Sequence, residues 1–206
     1  MNTLEQIADQ SGDFKEFAKG YFSHLSSLLE KLDVEPIAWL VEELKKARDN
    51  NNTIFIIGNG GSAATATHMV NDISTDVRRK SGNEKPFRVH SLTDNISVLT
   101  ALGNDEGFAN LFVSQLRIYY KPGDMLIAIS ASGNSPNVVK AAQWVKQNRG
   151  TVIGMVGFNG GLLKEISDIL IHVQTPQGEF GPVEDVHLII DHLVSTWLIY
   201  KGKKGE

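Results

Sequence analysis

Residues 54–74 read IFIIGNGGSAATATHMVNDIS. Four β-favouring apolar residues run into three glycines within four positions, Gly58, Gly60 and Gly61; Ser62 follows, and a helical pattern then carries His68 and Asp72. A short apolar run closed by glycine predicts a strand buried on both faces. Glycines at its end let backbone N–H groups approach a ligand, and a helix that starts there turns its positive end toward the same point. The stretch predicts a strand, an anion-accepting turn and a helix, the repeating unit of a parallel sheet.

The unit recurs along the chain. TIFIIG (53–58), FRVHSL (87–92), DMLIAIS (124–130), TVIGMVG (151–157) and DILIHVQ (168–174) are short Ile- and Val-rich runs bounded by turn residues and separated by helical patterns. Strands apolar on both faces and alternating with helices imply a sheet covered on each side. The expected fold class is α/β: a three-layer, doubly wound parallel sheet of about five strands, closed by a helix from about Val183 to Tyr200. Ahead of it, Phe14, Phe17, Tyr21, Phe22, Leu25, Leu28, Leu29 and Leu32 mark one helical face, and Asp33 with Pro36 opens a second helix that buries Ile37, Leu40, Val41, Leu44 and Ala47. Two N-terminal helices (1–50) and an α/β core (51–206) thus make one domain, without a repeat or linker. The aromatic stripe of the first helix suits either core packing or a subunit interface.

Composition narrows the function. At 206 residues with a formal charge of −4, the chain offers no basic surface for direct nucleic-acid binding, and the short KGKK tail (201–204) is a solubilising terminus. It has no cysteine, so disulfides, thiolate nucleophiles and thiolate metal sites are excluded. No apolar run reaches the roughly 20 residues of a membrane span, and the N-terminus lacks a signal-peptide core; no membrane association and a cytoplasmic location are expected.

In open parallel sheets ligands bind beyond the carboxyl ends of the strands, which directs attention to two turns. The first, GNGGSAATA (58–66), presents Asn59, Gly60, Gly61 and Ser62. The second, SASGNSPN (130–137), presents Ser130, Ala131, Ser132 and Ser135 around Gly133, with Pro136 opening a helix. Three hydroxyls and a helix N-terminus make an uncharged phosphate cradle, although Ser132 and Ser135 also suit plain N-capping. No Gly-Lys-Ser/Thr closes either turn and GNGGSA lacks the G-x-G-x-x-G spacing, which argues against a nucleotide triphosphate.

GNGGSAATATHMVNDIS together with SASGNSPNVVKAA resembles the SIS (sugar isomerase) domain, and more narrowly its phosphoheptose isomerase branch. The resemblance extends to LTDNISVLTALGNDEGFANLF and EDVHLIIDHLV, and covers nearly all the chain from Ile54 onward. It implies a homotetramer with shared active sites that converts sedoheptulose 7-phosphate to an aldoheptose 7-phosphate for surface-glycan heptose synthesis, with phosphate on the serine loop and zinc in many members.

Moving a carbonyl from C2 to C1 requires a base, an acid and an electrophile for the enediolate. His68 and Asp72 lie four apart and share a helix face; Glu184 and His192 lie eight apart, about 80° around the last helix. Two His, an Asp and a Glu form a plausible divalent-metal set. The resemblance assigns metal contact to His68, Asp72, Glu184 and His192, the base role to Asp72 and the acid-base role to His192, with Glu184 also at the substrate. The chain departs from the family at two of these positions, which usually hold Glu and Gln where it has Asp72 and Glu184. Asp72 loses one methylene of reach, and Glu184 adds charge. Asn104 and Asp105 match a substrate-contacting pair and equally suit a helix-end turn. Asp191 shares Glu184's face and is expected behind the ligands; His187, about 140° from His192, is set aside from the site. Arg78, Arg79 and Lys80 suit a solvated loop, and His24, His90 and His172 have no evident partner. The competing reading is a sugar-phosphate-binding or replication-initiator-associating SIS module without catalysis; an acid at 72 and a His at 192 favour the enzyme.

Overall fold

A computed structural model describes residues 1–82 and 85–205. Helices α1 (Thr3–Gln10), α2 (Phe14–Lys31) and α3 (Glu35–Asp49) precede the sheet, so a short helix stands before the two expected from the sequence. Asn2 and Glu5 form a reciprocal capping box at α1, and Asp13 caps α2. Asp33 accepts from the Glu35 N–H and Pro36 occupies the first turn of α3.

Among the described residues the sheet has five parallel strands: β1 (Thr53–Ile57), β2 (Arg88–Ser91), β3 (Met125–Ser130), β4 (Thr151–Gly157) and β5 (Ile169–Val173), in spatial order β2-β1-β3-β4-β5. Alternation divides the core in two. Ile54, Ile56, Met125, Ile127, Ile129, Ile153, Met155 and Ile171 meet α3, the helix after β1 and the last helix. Phe55, Ile57, Leu126, Ala128, Val152 and Val156 face Phe112, Leu116, Val138, Ala142 and Val145 on the other side. Both faces are dry, which is why the strands read as apolar throughout.

The order in which strands are added reverses between β1 and β3, opening the crevice in which doubly wound folds bind ligands. Beyond β1 lies α4 (Gly61–Met69), which passes through a π-helical segment (Val70–Asp76) into α5 (Val77–Ser81). After β2 come α6 (Ile96–Asp105), a 3₁₀ turn (Phe108–Asn110) and α7 (Leu111–Tyr119); α8 (Pro136–Gln147) follows β3, and α9 (Leu163–Ile166) follows β4. The last helix, α10 (Phe180–Gly202), buries Val183, Val186, Ile190, Val194 and Leu198.

The N-terminal helices are joined to the head of α10. Glu179, fully buried, accepts from the Thr3 N–H at 2.6 Å and pairs with His24 Nε2 at 2.7 Å. Tyr21 on α2 donates to Asp185 at 2.5 Å. His24 thus has a partner, 155 residues away in sequence, that no local pattern reveals. Among the described residues no helix is long and apolar enough to cross a membrane.

Candidate active site

The two glycine and serine turns meet at the switch point. Asn59 Nδ2 donates to Asn137 Oδ1 at 2.9 Å and Asn137 Nδ2 donates to Asn59 Oδ1 at 2.8 Å, so the loops after β1 and β3 are clasped by a reciprocal amide pair. Asn137 is fully buried. The sequence pattern placed it in a helical run and gave it no role, because its partner lies 78 residues upstream.

Gly60 takes φ 54°, a backbone state that favours glycine, and starts α4 with no side chain to cap it. At Gly61 the backbone lies directly under Glu184: a Cβ there would come within 2.2 Å of Glu184 Oε2 unless that side chain moved. Ser135 occupies the N-cap position of α8 yet makes no capping hydrogen bond among the described residues. Its hydroxyl instead lies 3.1 Å from Ser130 Oγ, and Ser130 lies 3.5 Å from Ser132 Oγ. Ser132 also accepts from the Asn134 N–H. Ser62, Ser130 and Ala131 are buried, and Ser132 and Ser135 partly so. The result is a row of hydroxyls beside two helix starts free of side-chain caps, which favours a phosphate over a neutral ligand.

The acid-base groups gather on α4, the π segment and α10. His68 Nε2 lies 3.1 Å from His192 Nε2; Asp72 Oδ2 lies 3.5 Å from the first and 3.9 Å from the second. Asp191 joins them, the four ligand atoms all lying within 4.8 Å of one another. Asp72 sits in the π segment, where the extra residue per turn sets its azimuth relative to His68 and to α10. Donors bound tetrahedrally to a zinc-sized ion stand about 3.4 Å apart. The observed triangle of His68, Asp72 and His192 brackets that spacing, so these residues fit a divalent metal.

Glu184 stands apart from this group, its carboxylate over Gly61 at the start of α4; burial, then the Asp185 charge, push it up. Asp191 is fully buried, and both its oxygens lack hydrogen-bond partners among the described residues. Burial, then the charge of Asp72, push its carboxyl up to about 7. His187 lies in the core with Nε2 3.4 Å from the Val156 carbonyl, and burial pushes it down to about 4.

The structure does not bring Asn104 and Asp105 to the cluster. They lie exposed at the end of α6, Asn104 Nδ2 donating to Asp105 at 2.7 Å. Arg79 and Lys80 pair with Asp76 rather than extending toward the crevice.

An anion cradle at the switch point of a doubly wound sheet, with titratable groups on the adjoining helices, defines a sugar-phosphate class of domain, and the SIS domain profile matches residues 20–157. The phosphoheptose isomerase of Trichlorobacter lovleyi is 38% identical over 181 residues, spanning 84% of this chain and 90% of that protein. That of Bordetella avium is 38% identical over 159 residues, spanning 77% and 79%. The structure of phosphoheptose isomerase from Neisseria gonorrhoeae superposes with a TM-score of 0.80 at 28% identity, covering 90% of this chain and 98% of that one. This chain belongs to the SIS domain family, in its phosphoheptose isomerase branch.

Proposed function

We propose that the protein is an aldose-ketose isomerase that converts sedoheptulose 7-phosphate to D-glycero-D-manno-heptose 7-phosphate for surface-glycan heptose synthesis. One observation carries this reading: the turns after β1 and β3 are joined through Asn59 and Asn137, and the helix that starts at the first of them carries His68 into a cluster with Asp72, Asp191 and His192. In this reading, Ser62, Ser130, Ser132 and Ser135 hold the phosphate with the N–H groups of Gly60 and Gly61.

The Asp72 carboxylate takes a proton from C1 while the ring N–H of neutral His192 gives one to O2, turning the C2 carbonyl into an enediol. Collapse then returns the O1 proton to His192, forms the C1 carbonyl, and delivers a proton from Asp72 to C2. Atoms and charges balance, and both residues end as they began. Zinc is the ion proposed, held by His68, Asp72 and His192; when bound, it supplies an electrophile for the enediolate oxygens.

A cytoplasmic homotetramer with shared sites accompanies this reading. Its support is the apolar surface of the N-terminal helices and α10, where Phe14, Phe22, Trp39, Leu193, Trp197 and Tyr200 are all exposed. A neighbouring subunit's crevice would give the outlying Asn104 and Asp105 a substrate to contact. The helices of residues 1–50 are read as part of the same domain as the sheet, through Glu179.

The test is proton NMR of the zinc-supplemented protein with sedoheptulose 7-phosphate in D₂O. Native protein is expected to form aldose and take up solvent deuterium. Asp72→Asn is expected to bind the sugar phosphate without turnover; retained turnover removes Asp72 from the base role.

A further inference from the structure

We infer that Asp191, and not Glu184, is the fourth protein ligand of the divalent ion, giving this chain a charge-balanced centre of two imidazoles and two carboxylates. The inference rests on the isomerase reading for the presence of an ion and goes beyond it in assigning this chain's own ligand set. Three observations carry it.

First, Asp191 is fully buried with both oxygens unpartnered among the described residues. An ionised carboxylate is rarely left in that state unless a cation or a donor set meets it. Second, its ligand atom belongs to the group formed by His68, Asp72 and His192. Asp72 is itself an acid, so within that group two carboxylates share a small volume, an arrangement that a dication relieves. Third, the position expected to complete the set is occupied elsewhere: the Glu184 carboxylate packs over Gly61, where a single added Cβ would meet it at 2.2 Å.

Asp191 and His192 are adjacent on α10, about 100° apart around its axis. The structure uses that angle: Asp191 is buried beneath the helix and His192 stands exposed at the crevice. An ion among the four groups would be gripped from the core side by one and from the open side by the other. Asp72 and Asp191 together offset the charge of a divalent ion, where a set with one carboxylate leaves it a net positive charge. Such a centre accepts harder first-row dications alongside zinc and is a weaker Lewis acid than the one-carboxylate set.

The experiment measures metal binding without substrate, so it stands apart from whether the protein isomerises any sugar. Chelated native protein, Asp191→Asn and Glu184→Gln are titrated with Zn²⁺ against a chromophoric chelator, and each is melted with and without the ion. Asp191→Asn is expected to weaken zinc binding about a hundredfold or more, beyond what loss of an outer-shell partner typically does. Its metal-free form is expected to melt a few degrees above native protein, because an unpaired buried charge is gone, while the zinc-induced rise in Tm disappears. Glu184→Gln is expected to bind zinc within about threefold of native. Zinc affinity unchanged by Asp191→Asn, affinity lost in Glu184→Gln, or no zinc binding by native protein would each overturn the assignment. A misfolded Asp191→Asn would show a lowered metal-free Tm; Asp191→Leu, which restores an apolar core position, then gives the same zinc readout in a folded chain.

Discussion

Asn59 and Asn137 exchange two amide hydrogen bonds across the junction of β1 and β3. Each loop thereby fixes the other, and the distance from the glycine turn to the serine row is set by a partly buried amide pair rather than by either loop alone. Asn137→Ala leaves the Asn59 amide facing a space it cannot fill, at a cost of about 1–3 kcal/mol. The expected result is a fall in Tm of about 5 °C by calorimetry, and a rise in KM for the sugar phosphate of about tenfold. A lowered Tm with unchanged KM would confine the clasp to holding the fold.

The serine row makes a separable prediction. A hydrogen bond to a charged ligand contributes about 1.5–3 kcal/mol, so Ser132→Ala is expected to weaken phosphate binding about ten- to a hundredfold. Calorimetric titration with inorganic phosphate measures this directly. Because the hydroxyl is assigned to the phosphate and not to proton transfer, kcat at saturation should hold.

Glu184 sets a negative charge at the start of α4, where the helix favours an anion. Glu184→Gln removes a repulsion with the incoming phosphate, and at a separation of about 5 Å in a partly wet crevice this is worth roughly 1 kcal/mol. KM for the sugar phosphate is expected to fall severalfold. Lowering pH protonates native Glu184 early, since its pKa is raised, so the gain from the substitution should shrink in acid. A KM that rises on substitution would make the carboxylate a substrate contact.

Stability carries its own pH signature through His187. Its folded pKa of about 4 lies below the ordinary 6.5. Between those values the unfolded chain binds a proton that the native chain does not, so stability is complete above about 6.5 and is lost as pH falls toward 4. The loss is on the order of 3 kcal/mol. His187→Leu, which keeps the volume and discards an Nδ1 without a partner among the described residues, is expected to abolish this part of the acid sensitivity. Urea unfolding of both proteins at pH 7.5 and pH 5 gives the comparison; parallel curves would show that His187 does not titrate in this window.

The strands and the two glycine and serine turns could be read from the chain, because each depends on local periodicity; His192, 124 residues from His68, entered the candidate set through the family resemblance. What escaped depends on which distant residue arrives. Glu179 meets His24 across the whole chain, and Asn137 meets Asn59 across the sheet. Asp191 is apparent only as a neighbour of Glu184 along VEDVHLIIDHLV, since a helix apolar almost all round does not say which side the sheet covers. The π segment is likewise silent: HMVNDISTD has ordinary helical spacing, and the widened turn is seen only in the folded helix as it packs along α10.

That widened turn governs how this chain can change length. One residue is worth about 100° of regular helix, but the widened turn already holds an extra residue, so deleting a single position between His68 and Asp72 would let the backbone close into a regular spiral with Val77 near its present face, and Asp72 would be the group displaced relative to His68. A deletion after Asp76 would leave the carboxylate in place and disturb only the short helix beyond. Over evolutionary time the segment from His68 to Asp72 should accept exchanges of residue type far more readily than the gain or loss of one residue.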